Sequence, residues 1–137
     1  MRNFFIIDLS PPHGDERGSL IALEKSNCIP FDIKRVYYIY DTKRGVPRGF
    51  HAHRDLEQIL ICVSGSCKIK IDDGKGGIEY FELNTPETAL YIGKMIWREM
   101  YDFSQGCVLL VIASQKYDPN EYIRDYNSFL ELVKATV

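Results

Sequence analysis

Short runs of Ile, Val, Tyr and Phe, cut off every few residues by Gly, Pro, Asn or Asp, fill the chain from its start to about residue 114. Such runs read as β-strands, and no 3.6-residue period competes with them there. The clearest occupy 4–8, 19–24, 33–40, 49–53, 58–63, 68–71, 78–83, 89–92, 97–103 and 108–113, which predicts about ten strands. Ser64-Gly65-Ser66 and Asp72-Asp73-Gly74 place glycine where hairpin turns need a positive φ. A flat sheet of so many short strands would leave open edges, so the pattern predicts a jelly-roll β-barrel. Beyond Tyr117-Asp118-Pro119 the spacing changes. Ile123, Tyr126, Phe129, Leu130 and Val133 recur at three- and four-residue steps, one face of a helix packed on the barrel. The expected fold is all-β, one domain over 1–137, with a barrel over about 1–115 and a short C-terminal helix over about 120–135.

Composition narrows the class. A chain of 137 residues, 45% hydrophobic and 26% charged, has the length and balance of one globular domain. Its net charge of -2 offers no positive field for nucleic acid. The apolar run at the start is too short for a signal peptide and no later run is long enough for a bilayer, so no membrane partner and a cytoplasmic location are expected. The four cysteines, Cys28, Cys62, Cys67 and Cys107, form no C-x-x-C pair. Three lie in strand-like runs, where reduced thiols pack as small hydrophobes. Cys62 and Cys67 could face each other across a hairpin, but a reducing cytosol favours core thiols.

Candidate chemistry centres on Arg48-Gly49-Phe50-His51-Ala52-His53. In a strand, residues i and i+2 share a face about 7 Å apart, so His51 and His53 project together and can pass protons near neutral pH. Tyr37 alternates with Tyr38 and Tyr40, and periodicity alone does not say which face looks inward. His-x-His with Glu57 also offers two imidazoles and a carboxylate to a metal. No histidine follows His53 and only His13 precedes the pair, so a three-histidine site would need His13 to reach in from its loop. The stretch 10–18 is either a binding loop or a solvated turn, and the glycines of 73–77 read as a hairpin turn rather than a phosphate loop. Arg17, Arg44, Arg48 and Arg98 are candidates to hold an anion. Simple alternation points Arg48 away from His51 unless the strand bulges.

The spacing Gly45-x5-His51-Ala52-His53-x3-Glu57-x7-Gly65 resembles the first signature of the cupin superfamily, one residue longer before its final glycine. The second signature, with its late histidine, is missing, as in the sugar-modifying cupins that use no metal. Together with Ile71-Asp72-Asp73-Gly74, Leu83-Asn84-Thr85-Pro86, Ile96-Trp97-Arg98-Glu99 and Tyr122-Ile123-Arg124-Asp125-Tyr126, the histidine stretch is similar to the dTDP-4-keto-6-deoxyglucose 3,4-ketoisomerases. The resemblance implies a cupin-type barrel that converts a dTDP-linked 4-keto-6-deoxyhexose to its 3-keto isomer without cofactor or metal, ahead of transamination to an aminosugar. It further implies His51 as the carbon base, His53 as the oxygen-to-oxygen shuttle, Tyr37 as the acid, and Arg17, Arg48 and Arg98 as ligands of the nucleotide. A homodimer, with strand 4–8 lent to a partner, follows from the same likeness. The rival readings are a dTDP-sugar 3,5-epimerase and a non-catalytic sugar-binding cupin.

Overall fold

The computed structural model describes residues 3–136. In chain order the strands are β1 (Phe4–Asp8), β2 (His13–Asp15), β3 (Gly18–Leu20), β4 (Arg35–Ile39), β5 (Arg48–His53), β6 (Gln58–Ser64), β7 (Cys67–Asp72), β8 (Ile78–Leu83), β9 (Thr88–Ile92), β10 (Trp97–Tyr101), β11 (Val108–Ala113) and β12 (Tyr122–Ile123), followed by helix α1 (Tyr126–Ala135). Two five-stranded sheets face each other, in the orders β1-β9-β6-β11-β4 and β12-β5-β10-β7-β8. The strand pairs are antiparallel. The all-β barrel with a C-terminal helix is therefore as expected.

Alternation decides what each sheet face carries. Leu60, Cys62, Ile69, Ile71, Met100, Leu109 and Val111 point between the sheets and form the barrel core with Phe4, Leu90 and Phe103. On the outer face of the first sheet, Ile59, Ile61, Tyr91 and Ile112 are covered by Ile29 and Phe31 from the segment before β4. On the outer face of the second, Ala52, Trp97 and Ile123 lie under Phe129 and Val133 of α1. Burial on this scale, at roughly 1.5–3 kcal/mol for each large apolar side chain, fixes the register of every strand that lines the interior.

Three differences from the sequence pattern have structural causes. Of 19–24 only the beginning pairs, as β3 with β2 in a separate hairpin, because Leu23 turns instead onto the outer face of the first sheet. The helix begins at Tyr126, where the Asp125 side chain caps the Ser128 amide. Residues 122–123 are strand instead, completing the edge of β5 through Tyr122 opposite His53 and Ile123 opposite Ala52. Ile123 still packs with the helix cluster, which is why its spacing mimics a helical turn.

The third difference sits beside the histidines. Opposite β10, His51 pairs with Arg98 and Gly49 with Glu99, leaving Phe50 as the extra residue of a β-bulge. Gly49 has φ +90° and Phe50 φ +56°. The bulge resets the alternation, so Arg48, opposite Met100, returns to the face of His51, while Gly49 leaves it. A Cβ on Gly49 would stand 3.1 Å from the Arg98 carbonyl. Gly49→Ala is expected to cost about 1–3 kcal/mol of stability through that strain and to lower activity by tilting His51. Urea denaturation paired with steady-state assays checks both.

Candidate active site

The interior face of the barrel turns polar at one end. There β4 contributes Arg35 and Tyr37, β5 contributes Arg48, His51 and His53, β6 contributes Gln58, β10 contributes Arg98, and β12 contributes Tyr122. A cavity of 460 Å³ opens between them, lined by Arg35, Tyr37, Arg48, His51, Tyr122 and Arg124 among others. A larger hollow of 780 Å³ near the β7–β8 turn and the end of α1 carries neither imidazole nor phenol, so proton chemistry belongs to the smaller one. The imidazoles of His51 and His53 meet edge to face with centroids 4.8 Å apart, and the Tyr122 ring stands 5.0 Å from the first and 4.5 Å from the second. His51 borders the cavity, whereas His53 is fully buried behind it.

Hydrogen bonding assigns the protons. His51 Nδ1 lies 3.1 Å from the Gly49 carbonyl oxygen, and because a carbonyl only accepts, that nitrogen carries the proton and Nε2 keeps its lone pair. Arg98 Nη1 donates to Gln58 Oε1 at 2.5 Å and Nη2 donates to the Ile96 carbonyl at 3.1 Å. With its oxygen so engaged, Gln58 donates through Nε2 to the Tyr37 hydroxyl at 3.1 Å. Tyr37 thus receives a hydrogen bond, leaving its own proton to be offered elsewhere. Among the described residues, neither nitrogen of His53 has a hydrogen-bond partner.

Burial dominates the titration of these groups. It lowers His51 to about 4, helped by the Arg98 charge and opposed by the Gly49 carbonyl. It lowers His53 to about 2, with Arg98 and then His51 adding to the effect. Both rings are neutral bases at physiological pH. Burial also raises the Tyr37 phenol, reinforced by Tyr122 and opposed by Gln58 and the arginines, so it stays protonated. Arg98 falls to about 10 through burial and remains a cation. Among the described residues no carboxylate pairs with it.

The expected site residues are only partly brought together. Tyr37, Arg48 and His51 line one cavity, with His53 behind them. Arg98 lies beneath the cavity and is fully buried, so it holds Gln58 and Ile96 rather than reaching for a diphosphate. Arg17 lies at the tip of the β2–β3 hairpin, 87% exposed and paired with Asp15 at 2.6 Å, and it does not line the cavity. Glu57 points to the outer face, where its carboxylate accepts from the Tyr91 hydroxyl at 2.5 Å, so the two-histidine-one-carboxylate set does not assemble. His13, on β2, borders other surface hollows. Sequence reasoning gave no role to Gln58, Arg35, Tyr117, Tyr122 or Arg124. The Arg124 guanidinium sits 4.3 Å from the Tyr122 ring centroid and that of Arg35 5.1 Å from the Tyr37 ring, so cations and aromatic rings alternate along the wall. The Tyr122-to-Tyr126 motif was the available signal, hidden by its helix-like spacing.

Two facing antiparallel sheets that turn His-x-His into one polar end have the construction of a cupin barrel. Comparison makes this specific: the chain belongs to the FdtA family (WxcM-like, C-terminal), whose model matches residues 2–134. It is 52% identical over 119 residues to a TDP-4-oxo-6-deoxy-alpha-D-glucose-3,4-oxoisomerase of Aneurinibacillus thermoaerophilus, covering 87% of this chain and 85% of that protein. The crystal structure of a 3,4-ketoisomerase from Helicobacter canadensis matches at a TM-score of 0.93 and 52% identity, over 98% of this chain and 99% of that one. A mutant of the 3,4-ketoisomerase QdtA from Thermoanaerobacterium thermosaccharolyticum, in complex with TDP-4-keto-6-deoxyglucose, matches at 0.93 and 43% identity, over 98% and 96%.

Gln58 gives the first test of the site. Gln58→Glu places a carboxylate against Arg98, so the guanidinium no longer opposes an imidazolium beside it and the His51 pKa rises from about 4. The acid limb of the kcat/KM profile should shift to higher pH by about one unit, while Gln58→Leu should lower kcat without that shift. Paired pH–rate profiles decide.

Proposed function

We propose that this chain converts dTDP-4-keto-6-deoxyglucose to its 3-keto isomer through an enediolate. The observation that carries the reading is the grouping of a neutral His51 with a free Nε2 and a protonated Tyr37 on one cavity, with the buried Arg98 linked to Tyr37 through Gln58 behind its wall. His51 Nε2 removes the C3′ proton, and the electron pair moves into the C3′–C4′ bond as the C4′ carbonyl takes up negative charge. Arg98 stabilises that charge through the low-dielectric interior without touching it. His53, edge to face with His51, relays the O3′ proton to O4′. Tyr37 then delivers a proton to C4′ as the C3′ carbonyl forms, and solvent returns the His51 proton to Tyr37. Atoms and electrons balance with no metal, redox cofactor or co-reactant.

Arg35, Arg48 and Arg124 are suited to the diphosphate, because guanidinium groups bind phosphate oxygens bidentately and all three border the cavity. Tyr117 and Tyr122 offer stacking faces beside them. The reading extends to a cytoplasmic homodimer supplying keto sugars for aminosugar glycans such as O-antigen or S-layer chains. Four free cysteines favour a reducing compartment. Exposed Phe5, Ile6, Val36 and Tyr38 on the edge strands of the first sheet favour a covering copy, whose approach would also give the Arg17 hairpin a surface to meet.

The deciding experiment is incubation with dTDP-4-keto-6-deoxyglucose in deuterated water followed by proton NMR. A 3-keto product with deuterium at C4′ is expected. Deuterium at C5′ with inversion there would establish an epimerase instead, and binding without turnover a non-catalytic cupin. His51→Asn should lower kcat by roughly 1,000-fold or more while the nucleotide still binds. Because His51 acts as the neutral base with a pKa lowered to about 4, kcat/KM should be flat from about pH 6 to 8 and fall as acid protonates it. Activity that survives chelator treatment is expected; its loss would overturn the metal-independent scheme.

A further inference from the structure

Three of the four cysteines converge at the barrel end away from the histidines. Cys62 lies late in β6, Cys67 opens β7 across the 64–66 turn, and Cys107 leads into β11. Each is no more than 2% exposed. Their sulfurs all lie within 4.8 Å of one another, with Cys62 and Cys107 at 3.6 Å. Cys62 Sγ also donates to the Ser64 carbonyl at 3.1 Å. Gln58 and Cys62 share the inner face of one strand four positions apart, about 13 Å, so this nest is separate from the proton-transfer site.

Metal–thiolate bonds run about 2.3 Å, which sets three sulfurs around one ion about 4 Å apart. The nest meets that spacing with a contraction of less than about 1 Å at its widest. No fourth histidine, cysteine or carboxylate joins the group among the described residues, so the donor set falls short of the four ligands of a structural zinc site. Soft sulfur ligands select copper(I) among first-row ions, and the apolar surrounding of Phe103 and Leu109 offers no oxygen ligand to a harder ion. We propose that Cys62, Cys67 and Cys107 bind one soft monovalent cation of the copper(I) kind beneath the 64–66 turn.

That turn is the entry. Gly65, at φ +72°, lies so close over the nest that a Cβ there would stand 3.0 Å from the Cys107 Cα, and Ser64 and Gly65 are exposed. Binding transfers no electron. Each S–H that becomes a ligand releases its proton to water, so affinity rises with pH.

The test uses the full, reduced protein titrated anaerobically with copper(I) supplied as its acetonitrile complex, read by sulfur-to-copper charge-transfer absorption and by competition with a copper(I) chelator. One equivalent should saturate the band and raise the Tm, and Cys28→Ser should behave as the parent. Cys62→Ala and Cys107→Ala should each weaken binding by roughly 100-fold or more, with ketoisomerisation retained. Cys67→Ser provides the same test should either alanine variant fail to fold. The proposal is overturned by the lack of a saturable band, by loss of binding in Cys28→Ser, or by parental affinity in the nest variants.

Discussion

A cation sealed inside the barrel organises the catalytic end of this protein. Arg98 is fully buried and, among the described residues, its guanidinium donates to the Gln58 side chain and the Ile96 carbonyl while its Nε finds no partner. An unpaired buried charge costs on the order of several kcal/mol, and the fold retains it opposite His51, its cross-strand neighbour. From that position the charge has three effects. It adds to burial in keeping both imidazoles neutral, it fixes the Gln58 amide so that Tyr37 receives a hydrogen bond, and it leaves a positive potential unspent where an enediolate would form. Ground-state stability is given up for a field that acts when negative charge develops.

The interior of the barrel is graded along its strands, and β6 displays the gradient in three inward residues. Gln58 meets Tyr37 and Arg98, Leu60 packs in the core, and Cys62 joins the thiol nest. The polar end depends on the apolar middle, because core packing holds register and a slip of one residue would swap each inward side chain for its outward neighbour. The β5 bulge is the controlled exception. By inserting Phe50 it brings Arg48 back to the face of His51 and sets the Gly49 carbonyl where it fixes the His51 tautomer.

Most strands and the histidine pair were legible because each rests on period-two alternation within one short segment. The family resemblance was legible because its motifs are contiguous. What escaped depended on relations between distant segments. Gln58 looks like one polar residue at the start of an apolar run, and its role appears only when Arg98 and Tyr37 close on it from two other strands. Tyr122 and Arg124 fell inside a stretch whose apolar spacing imitates a helix, since Ile123 packs against α1 while pairing as a strand. Arg98 reads from the sequence as a ligand of the nucleotide, because a sequence does not disclose that an arginine is buried without an acidic partner. The Cys62–Cys67 proximity follows from the hairpin, but Cys107 arrives from the approach to β11, forty positions after Cys67.

The neighbours Glu57 and Gln58 show how one step of alternation divides two chemistries. Glu57 is the acidic residue of the histidine motif, yet it faces outward and accepts a hydrogen bond from Tyr91. Gln58 faces inward, isosteric with glutamate but uncharged. A carboxylate at the inward position would neutralise Arg98, favour protonated imidazoles and cancel the field that an enediolate requires. The amide preserves the same hydrogen-bond geometry without the charge. The barrel therefore gathers two weak bases, a phenol donor and a cation without a carboxylate partner among the described residues at one end, a combination suited to moving a proton between adjacent carbons and stabilising the anion that forms on the way.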